Sequence, residues 1–289
     1  MINIKNKFQN YIKKIIFEYT NDAVKKSLDE HYPQLLSSLS ALHTNTTLER
    51  EKLIKARSTK KYSTPFNSKN PLVSIRISTY NRSKIITKKT LPSILNQTHK
   101  NIEVVIVGDN CTDDTEKEIS KFKDKRVHFF NMNCRGYYPT NQFHKWLVAG
   151  IPAANEALQR TNGEWIVPFD DDDEMLPNHV EDLLKKAQAE KLEFVYGKAM
   201  SVNLMSKEEK VIGSFPPSYG HISFNSSIFH RDLKFFEYDP QTWTINEPGD
   251  WNLIKRMLLA GVYVGFLDKI VTKINFLHPK DKTGYNPEL

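Results

Sequence analysis

The segment Ile102 to Val107 reads Ile-Glu-Val-Val-Ile-Val, a continuous apolar strand suited to burial on both faces. Such a strand belongs inside a parallel sheet, where crossover connections place helices on either side. Its neighbours in sequence agree. Leu72 to Ile77 is another β-rich run, and Ser83 to Asn96 between the two has helical periodicity, so together they read as a βαβ unit. Thr112 to Phe122 offers a further helix and Val127 to Phe130 a short strand, and Trp146 to Gln159 offers a helix before the strand Glu164 to Phe169. The expected fold class is therefore α/β, with an open sheet. In such sheets ligands bind beyond the carboxyl ends of the strands, which directs the search to the residues after Ile77, Val107 and Phe169. They are Ser78-Thr79-Tyr80-Asn81, Gly108-Asp109-Asn110 and Asp170 to Asp173.

A chain of 289 residues with 39% hydrophobic content can fill one large core and carry a smaller appendage. The net charge of +7 is unevenly spread: residues 1–70 hold 13 Lys/Arg against 6 Asp/Glu, and the remainder holds 28 against 28. A basic segment on a neutral domain suits an anionic surface, either lipid headgroups or an acidic partner, or is simply a solvated helical face. The charge balance of the remainder argues against nucleic acid as a partner. Ile4, Phe8, Tyr11, Ile12, Ile15, Ile16 and Tyr19 recur at helical spacing with Lys5, Lys7, Lys13 and Lys14 between them, a basic amphipathic helix. Its apolar stripe can lie in a membrane interface, dock on the chain's own later domain, or mediate self-association. After Pro33, Leu35, Leu36, Leu39, Leu42, Leu48, Leu53 and Ile54 suggest one or two more helices. The polar stretch that follows reads as a connector. This divides the chain into a helical, basic extension (1–57), a linker (58–70) and a catalytic domain (71–289). Cys111 and Cys134 are too few for a disulfide framework and lack zinc-site spacing. No apolar stretch approaches the roughly 20 residues of a membrane span, and no signal-peptide core is present, so the expected location is cytoplasmic, with peripheral attachment at the inner face of the cell membrane left open.

Four consecutive carboxylates directly after a buried strand repel one another, and a hard cation such as Mg²⁺, Mn²⁺ or Ca²⁺ would relieve that repulsion. An EF-hand is excluded, because the run lacks the alternating acids, the central Gly and the distant Glu. An acidic turn at the N-terminus of the helix beginning near Pro177 would serve equally well on electrostatic grounds. Asp109 adds a carboxylate at a neighbouring strand end, as a ligand for a base N–H or sugar hydroxyl, or as a turn residue.

Four ordered blocks carry a family resemblance: Pro71-Leu-Val-Ser-Ile-Arg-Ile-Ser-Thr-Tyr-Asn-Arg82, Leu91-Pro-Ser-Ile-Leu-Asn-Gln-Thr98, Ile102 to Thr115, and Gly163 to Asp173 with Pro177. Over about residues 71 to 278 the chain resembles family 2 glycosyltransferases. The resemblance implies a single nucleotide-binding α/β/α domain of the glycosyltransferase A type with a mostly parallel mixed sheet, preceded here by the N-terminal helical extension. It also implies a nucleoside-diphosphate sugar donor, usually UDP-linked, and a divalent cation (Mn²⁺ or Mg²⁺). Carried over by position, Ser78, Tyr80 and Asn81 lie at the nucleoside, with Tyr80 stacking on the base and Asp109 binding it. Asp170 and Asp172 match the ends of the Asp-x-Asp motif: Asp170 near ribose and metal, Asp172 on the metal, with Asp171 or Asp173 substituting if the register slips by one. His278 falls where some relatives place a metal or phosphate ligand. The chain departs from the family at Gly108, where a second acid is common, and at Ala154, where an Arg is common. Arg135, His144 or Lys145 could supply that charge to the diphosphate.

Inverting transfer needs a general base at the acceptor hydroxyl. Asp250 resembles the family aspartate that begins a helix and serves as base, an N-cap role being compatible. Glu247 is the reserve, and Trp243 and Trp251 offer flat faces for an acceptor sugar or belong to the core. The implied function is an inverting glycosyltransferase of surface polysaccharide or glycoconjugate synthesis, acting on a glycan or lipid-linked acceptor. The rivals are a sugar nucleotidyltransferase, which should show a Gly-rich loop where this chain has Ser78 to Arg82, and a non-catalytic nucleotide-sugar-binding module.

Overall fold

The computed structural model of the chain describes residues 20–21, 24–26 and 37–276. The amphipathic stretch 4–19, the segment around Pro33 and His278 lie outside the described residues. Two compact units are present, Met1–Thr44 and Asn45–Leu289. In the first, residues 37–43 are helical, and Thr44 Oγ1 donates to the Ser40 carbonyl at 2.7 Å.

The second unit is built on one sheet of nine strands among the described residues. They are β1 (Val73–Thr79), β2 (Ile102–Gly108), β3 (Val127–Asn131), β4 (Trp165–Asp170), β5 (Glu174–Met175), β6 (Phe194–Asn203), β7 (Glu209–Ile212), β8 (Ser227–His230) and β9 (Val264–Phe276). The order is β3-β2-β1-β4-β8-β6-β9-β5, with β7 paired to β6. The four strands at the β3 end are mutually parallel. Beyond them β8 runs antiparallel to β4 and β6, and β9 returns parallel to β6.

Alternation along the strands divides the core in two. Val73, Ile75, Ile77, Val104, Ile106, Trp165, Val167 and Phe169 face one layer, against Val180, Leu183, Leu184 and Ala187 of one long helix. The spacing of those four helical residues is that of a single apolar stripe. On the other face Val105, Val107 and Ile166 meet a helix rich in alanine, in which Ala153, Ala154 and Ala157 are buried. The short side chains let that helix lie close on the strands. The helices are α1 (Thr47–Arg57), α2 (Thr64–Asn67), α3 (Ser83–Ile85), α4 (Leu91–Leu95), α5 (Thr115–Ser120), α6 (Gln142–Leu147), α7 (Ile151–Gln159), α8 (His179–Glu190) and α9 (Gly249–Ala260), with a π-helical turn Ile86–Thr90 joining α3 to α4. The expected helix Trp146 to Gln159 is two helices, because Gly150 takes φ 71° and Pro152 restarts the chain as α7.

The stretch read as a linker is a packed strap. Tyr62 and Pro65 are buried, Phe66 meets Trp165 edge-on with ring centres 5.4 Å apart, and Trp165 Nε1 donates to the Pro65 carbonyl at 3.2 Å. Arg57 forks onto the buried Glu193, with Nε to Oε1 and Nη2 to Oε2 both at 2.6 Å, and the Tyr62 hydroxyl donates to the same carboxylate. Isolated aromatics among Ser, Thr and Lys have no period to betray them; their burial depends on partners about a hundred residues or more away.

Candidate active site

Parallel pairing sets the ends of β2, β1 and β4 side by side. Thr79 is opposite Gly108, and Ser78 is opposite Asp170. Their loops, together with the first turns of α7 and α9, wall a cleft of about 560 Å³. Ser78, Tyr80, Asp109, Asp170, Asp171, Asp172 and Asp250 line it.

The acidic run alternates between exposed and buried side chains as it leaves β4 through a turn. Asp170 is exposed and accepts one bond from the described residues, from Asn225 Nδ2 at 2.7 Å. Asp172 is a third exposed and paired with Arg82 Nη1 at 2.8 Å. Asp171 and Asp173 turn inward: Asp171 Oδ2 accepts from Thr79 Oγ1 at 2.5 Å, and Asp173 takes Asn225 Nδ2 at 2.6 Å and the Asn275 N–H at 2.9 Å. Thr90, buried at the end of the π-helical turn, shares its hydroxyl between the carbonyls of Asp171 and Asp173 at 2.8 and 3.0 Å. Burial and then the charge of Asp172 push the Asp171 carboxyl up to about 7, and burial with the charges of Asp172 and Asp170 holds Asp173 well above the ordinary carboxylate range. Asp172 is raised as well, first by burial, against the pull of Arg82. Negative charge is thus concentrated here beyond what the cations among the described residues neutralise.

At the end of β2 the situation differs. Asp109, 2% exposed, accepts the Gly136 N–H at 2.8 Å on Oδ1 and the Tyr138 hydroxyl at 2.7 Å on Oδ2. Arg135 Nε stands 3.6 Å from the same oxygen, and its guanidinium covers the Tyr80 ring at 3.5 Å from the ring centre. Both groups expected at a nucleobase are therefore already engaged by the loop after β3. Asn81 is a strut: its Oδ1 accepts the Thr112 N–H at 2.8 Å and its Nδ2 donates to Thr112 Oγ1 at 3.2 Å, tying the loop after β1 to that after β2.

Across the cleft Asp250 is the second residue of α9, inside its first turn, and accepts the Trp251 N–H at 2.7 Å. It is open to solvent along the cleft, yet the crowding of the cleft walls raises its pKa, and the nearby charge of Asp170 adds to this. Glu247 is neutralised by Lys255 Nζ at 2.6 and 2.8 Å and bonded by Asn252 Nδ2 at 2.8 Å, so its carboxylate is already occupied. Trp243 packs half-buried against His144 at 5.3 Å between ring centres, and Trp251 lies beside the exposed Tyr219 at 6.2 Å. Of the three residues considered for the diphosphate charge, Arg135 and Lys145 line the cleft, whereas His144 Nε2 meets Asn246 Oδ1 at 3.1 Å.

Sequence reasoning passed over four cleft residues. Arg82 closes the Ser78 to Arg82 segment and could have been found as a cation next to an acidic run. Arg76, a charged residue inside an apolar strand, was visible in the same block. Asn225 and Tyr238 sit in segments without periodicity and carry no such signal. Among the described residues no three His, Cys, Asp or Glu side chains converge into a closed metal cage.

Residues 74–240 match the family model described as glycosyl transferase family 2. The chain is 29% identical over 178 residues to GalNAc(5)-diNAcBac-PP-undecaprenol beta-1,3-glucosyltransferase of Campylobacter jejuni, covering 61% of this chain and 51% of that protein. It is 36% identical over 126 residues to UDP-Glc:alpha-D-GlcNAc-diphosphoundecaprenol beta-1,3-glucosyltransferase WfaP of Escherichia coli, covering 43% and 45%. The chain thus spans about half the length of these curated relatives. In fold it is similar to S. aureus TarS 1-349 in complex with UDP-GlcNAc, with a TM-score of 0.56 at 18% identity over 72% of this chain and 59% of that one. The mannosyltransferase PcManGT from Pyrobaculum calidifontis, in complex with GDP-Man and Mn2+, gives a TM-score of 0.50 at 16% identity over 87% and 70%.

Proposed function

This chain belongs to glycosyl transferase family 2, and from that premise we propose that it moves a sugar, with inversion, from a UDP-linked donor to a hydroxyl of a lipid-linked glycan acceptor. One observation carries the reading: the cleft-facing carboxylates Asp170 and Asp172 and the helix-terminal Asp250 line one cleft, at the carboxyl ends of parallel strands.

The donor's nucleoside lies over the ends of β1 and β2, near Ser78, Tyr80 and Asp109, with Arg135 and Lys145 within reach of its diphosphate. Asp170 and Asp172 fit a divalent cation, since Mg²⁺ and Mn²⁺ are commonly held by one or two carboxylates completed by substrate phosphates and need no closed protein cage. Their alternation with the inward-turned Asp171 and Asp173 supports that assignment. When bound, the cation supplies Lewis-acid compensation for the charge of the departing diphosphate. Asp250 takes the acceptor hydroxyl's proton as that oxygen bonds to the anomeric carbon. The anomeric C–O bond breaks with its electron pair going to the diphosphate, and inversion follows from attack on the face opposite the leaving group. Its raised pKa brings the carboxylate closer to the proton affinity a general base needs.

The lipid-linked acceptor is inferred from the two curated relatives, whose names specify diphosphoundecaprenol acceptors. It places the reaction at a membrane surface. No helix among the described residues is long and apolar enough to cross one.

The test is a screen of nucleotide sugars for Mn²⁺-dependent donor hydrolysis, repeated with Asp250→Asn. The variant should bind UDP as the native protein does and release product at least about 100-fold more slowly. Unchanged turnover would remove Asp250 from the mechanism, and absence of hydrolysis or binding with every nucleotide sugar would remove the transferase reading.

A further inference from the structure

On the face of β1 that meets α7, Ser74, Arg76 and Ser78 replace the apolar residues of the other face. Ser74 is satisfied: its hydroxyl donates to Glu103 at 2.5 Å and accepts the Gly163 N–H at 2.7 Å. Arg76 is different. It is 3% exposed, on a strand central in the sheet, and its Nε has no hydrogen-bond partner. Among the described residues no carboxylate lies within ion-pairing distance of it. Its Nη2 donates to the Tyr238 hydroxyl, and its guanidinium carbon lies 5.0 Å from the Tyr238 ring centre and 5.9 Å from that of Phe224. A buried cation without a counter-ion is costly, and aromatic faces repay only part of that cost. Such a charge suggests a role other than holding the fold.

Its surroundings indicate that role. Tyr238 is fixed through its backbone, its N–H donating to Asn155 Oδ1 and its carbonyl accepting from Asn155 Nδ2, both at 2.9 Å. Its ring lies against Gly249, where an added Cβ would stand 3.6 Å from Tyr238 Cδ1. Gly249 precedes Asp250, and Arg76, Tyr238, Gly249 and Asp250 all line the cleft. The groups that act on Asp250 divide by sign. Burial and Asp170 at the end of β4 disfavour its charged form; the Trp251 N–H at 2.7 Å favours it, and Arg76 from β1 adds to that more weakly. Glu247, in the turn before α9, is neutralised by Lys255. The Tyr219 and Tyr238 phenols are raised in pKa and remain neutral. Arg76 is thus the cation that favours the charged form of Asp250.

We propose that Arg76 is a positioning residue for the transfer: held by Tyr238 beneath the cleft, its fixed charge favours the proton-accepting form of the Asp250 carboxylate against the crowding of the carboxylates at the end of β4. The inference rests on Asp250 being the base. Arginine suits the task because its guanidinium stays protonated even when buried.

The experiment measures the pH dependence of kcat, as UDP release from the nucleotide sugar selected by the screen above, with saturating Mn²⁺. The native protein is compared with Arg76→Met, Arg76→Lys and Tyr238→Phe, and UDP affinity is measured for each. Loss of the cation should move the acid limb of Arg76→Met to higher pH by about one unit, with roughly tenfold lower turnover below the limb and recovery above it. Arg76→Lys should keep the native limb, Tyr238→Phe should shift it less in the same direction, and UDP affinity should hold in all. A pH-independent loss in Arg76→Met, or a limb that does not move, would overturn the proposal. Should Arg76→Met fail to fold, an unmoved limb in Tyr238→Phe overturns it instead. If Asp250→Asn keeps full turnover, the base assignment fails; if it abolishes turnover while the Arg76 and Tyr238 variants keep the native limb, only the role of Arg76 falls.

Discussion

The ends of β2 and β4 both present carboxylates after strands buried on both faces, and they treat them in opposite ways. Asp109 is clothed by the loop after β3, through two hydrogen bonds and the nearby Arg135. At β4 the work is divided, with Asp171 and Asp173 tied to Thr79, Asn225 and Asn275 while Asp170 and Asp172 face the cleft. A carboxylate's position at a strand end therefore does not decide its role. What decides it is how many protein donors already reach it, because a carboxylate with spare lone pairs can still take a cation or a substrate hydroxyl.

The sharpest way to break this contrast is Asp170→Asn. If Asp170 is the open ligand, UDP release should fall about 100-fold or more while the thermal midpoint stays within a degree or two of the native value, since the amide oxygen of the replacement can still accept from Asn225 Nδ2. Asp173→Asn should do the reverse. An amide nitrogen would face one of two donors, Asn225 Nδ2 or the Asn275 N–H, costing about 1–3 kcal/mol of stability in a denaturant titration. Equal effects of the two substitutions on activity and on stability would erase the distinction. For the β2 end, Asp109→Asn leaves the loop with a weaker acceptor. The expected result is about a tenfold rise in donor KM with kcat nearly unchanged, read by steady-state kinetics at fixed Mn²⁺.

A smaller effect should appear in the metal-free protein. The Asp171 carboxyl, pushed up to about 7 from an ordinary 3.8, binds its proton more tightly folded than unfolded. Its contribution to stability is therefore complete below about pH 4 and is lost as pH rises through about 7. Thermal melts in chelator should show the midpoint falling across that window. Mn²⁺ should flatten the slope if the cation takes over from the proton in relieving the acidic turn, and an equal slope with and without Mn²⁺ would argue against a cation there.

Much of this was legible in sequence because the relevant physics is local. Runs of β-branched residues marked β1, β2 and β4, whereas the separation of Asp170 and Asp172 from Asp171 and Asp173 came from the resemblance to the family's Asp-x-Asp motif. The region from β6 to β8 was not foreseen. Its strands pair antiparallel around a mixed pattern, and Gly197 sits where an added Cβ would be 2.8 Å from Val271, a closeness visible only in space. Asp250 was singled out by its resemblance to the family aspartate at a helix start, and it lies in the first turn of α9 on the cleft wall. Asn225, which bridges Asp170 and Asp173, lies in a short 3₁₀ turn with no sequence period of its own. Arg135 over Tyr80 likewise depends on a loop whose course no pattern encodes.

The strap has a practical corollary. The family match opens at residue 74, yet Glu193, 1% exposed, owes two of its partners to Arg57 and Tyr62. A fragment trimmed to the matched boundaries would strand that carboxylate beside the Tyr263 N–H with its main cation gone. Chimeras that exchange the conserved core between relatives should therefore move the segment from Asn45 onward as one piece, since the unit that is recognisable by descent is shorter than the unit that folds.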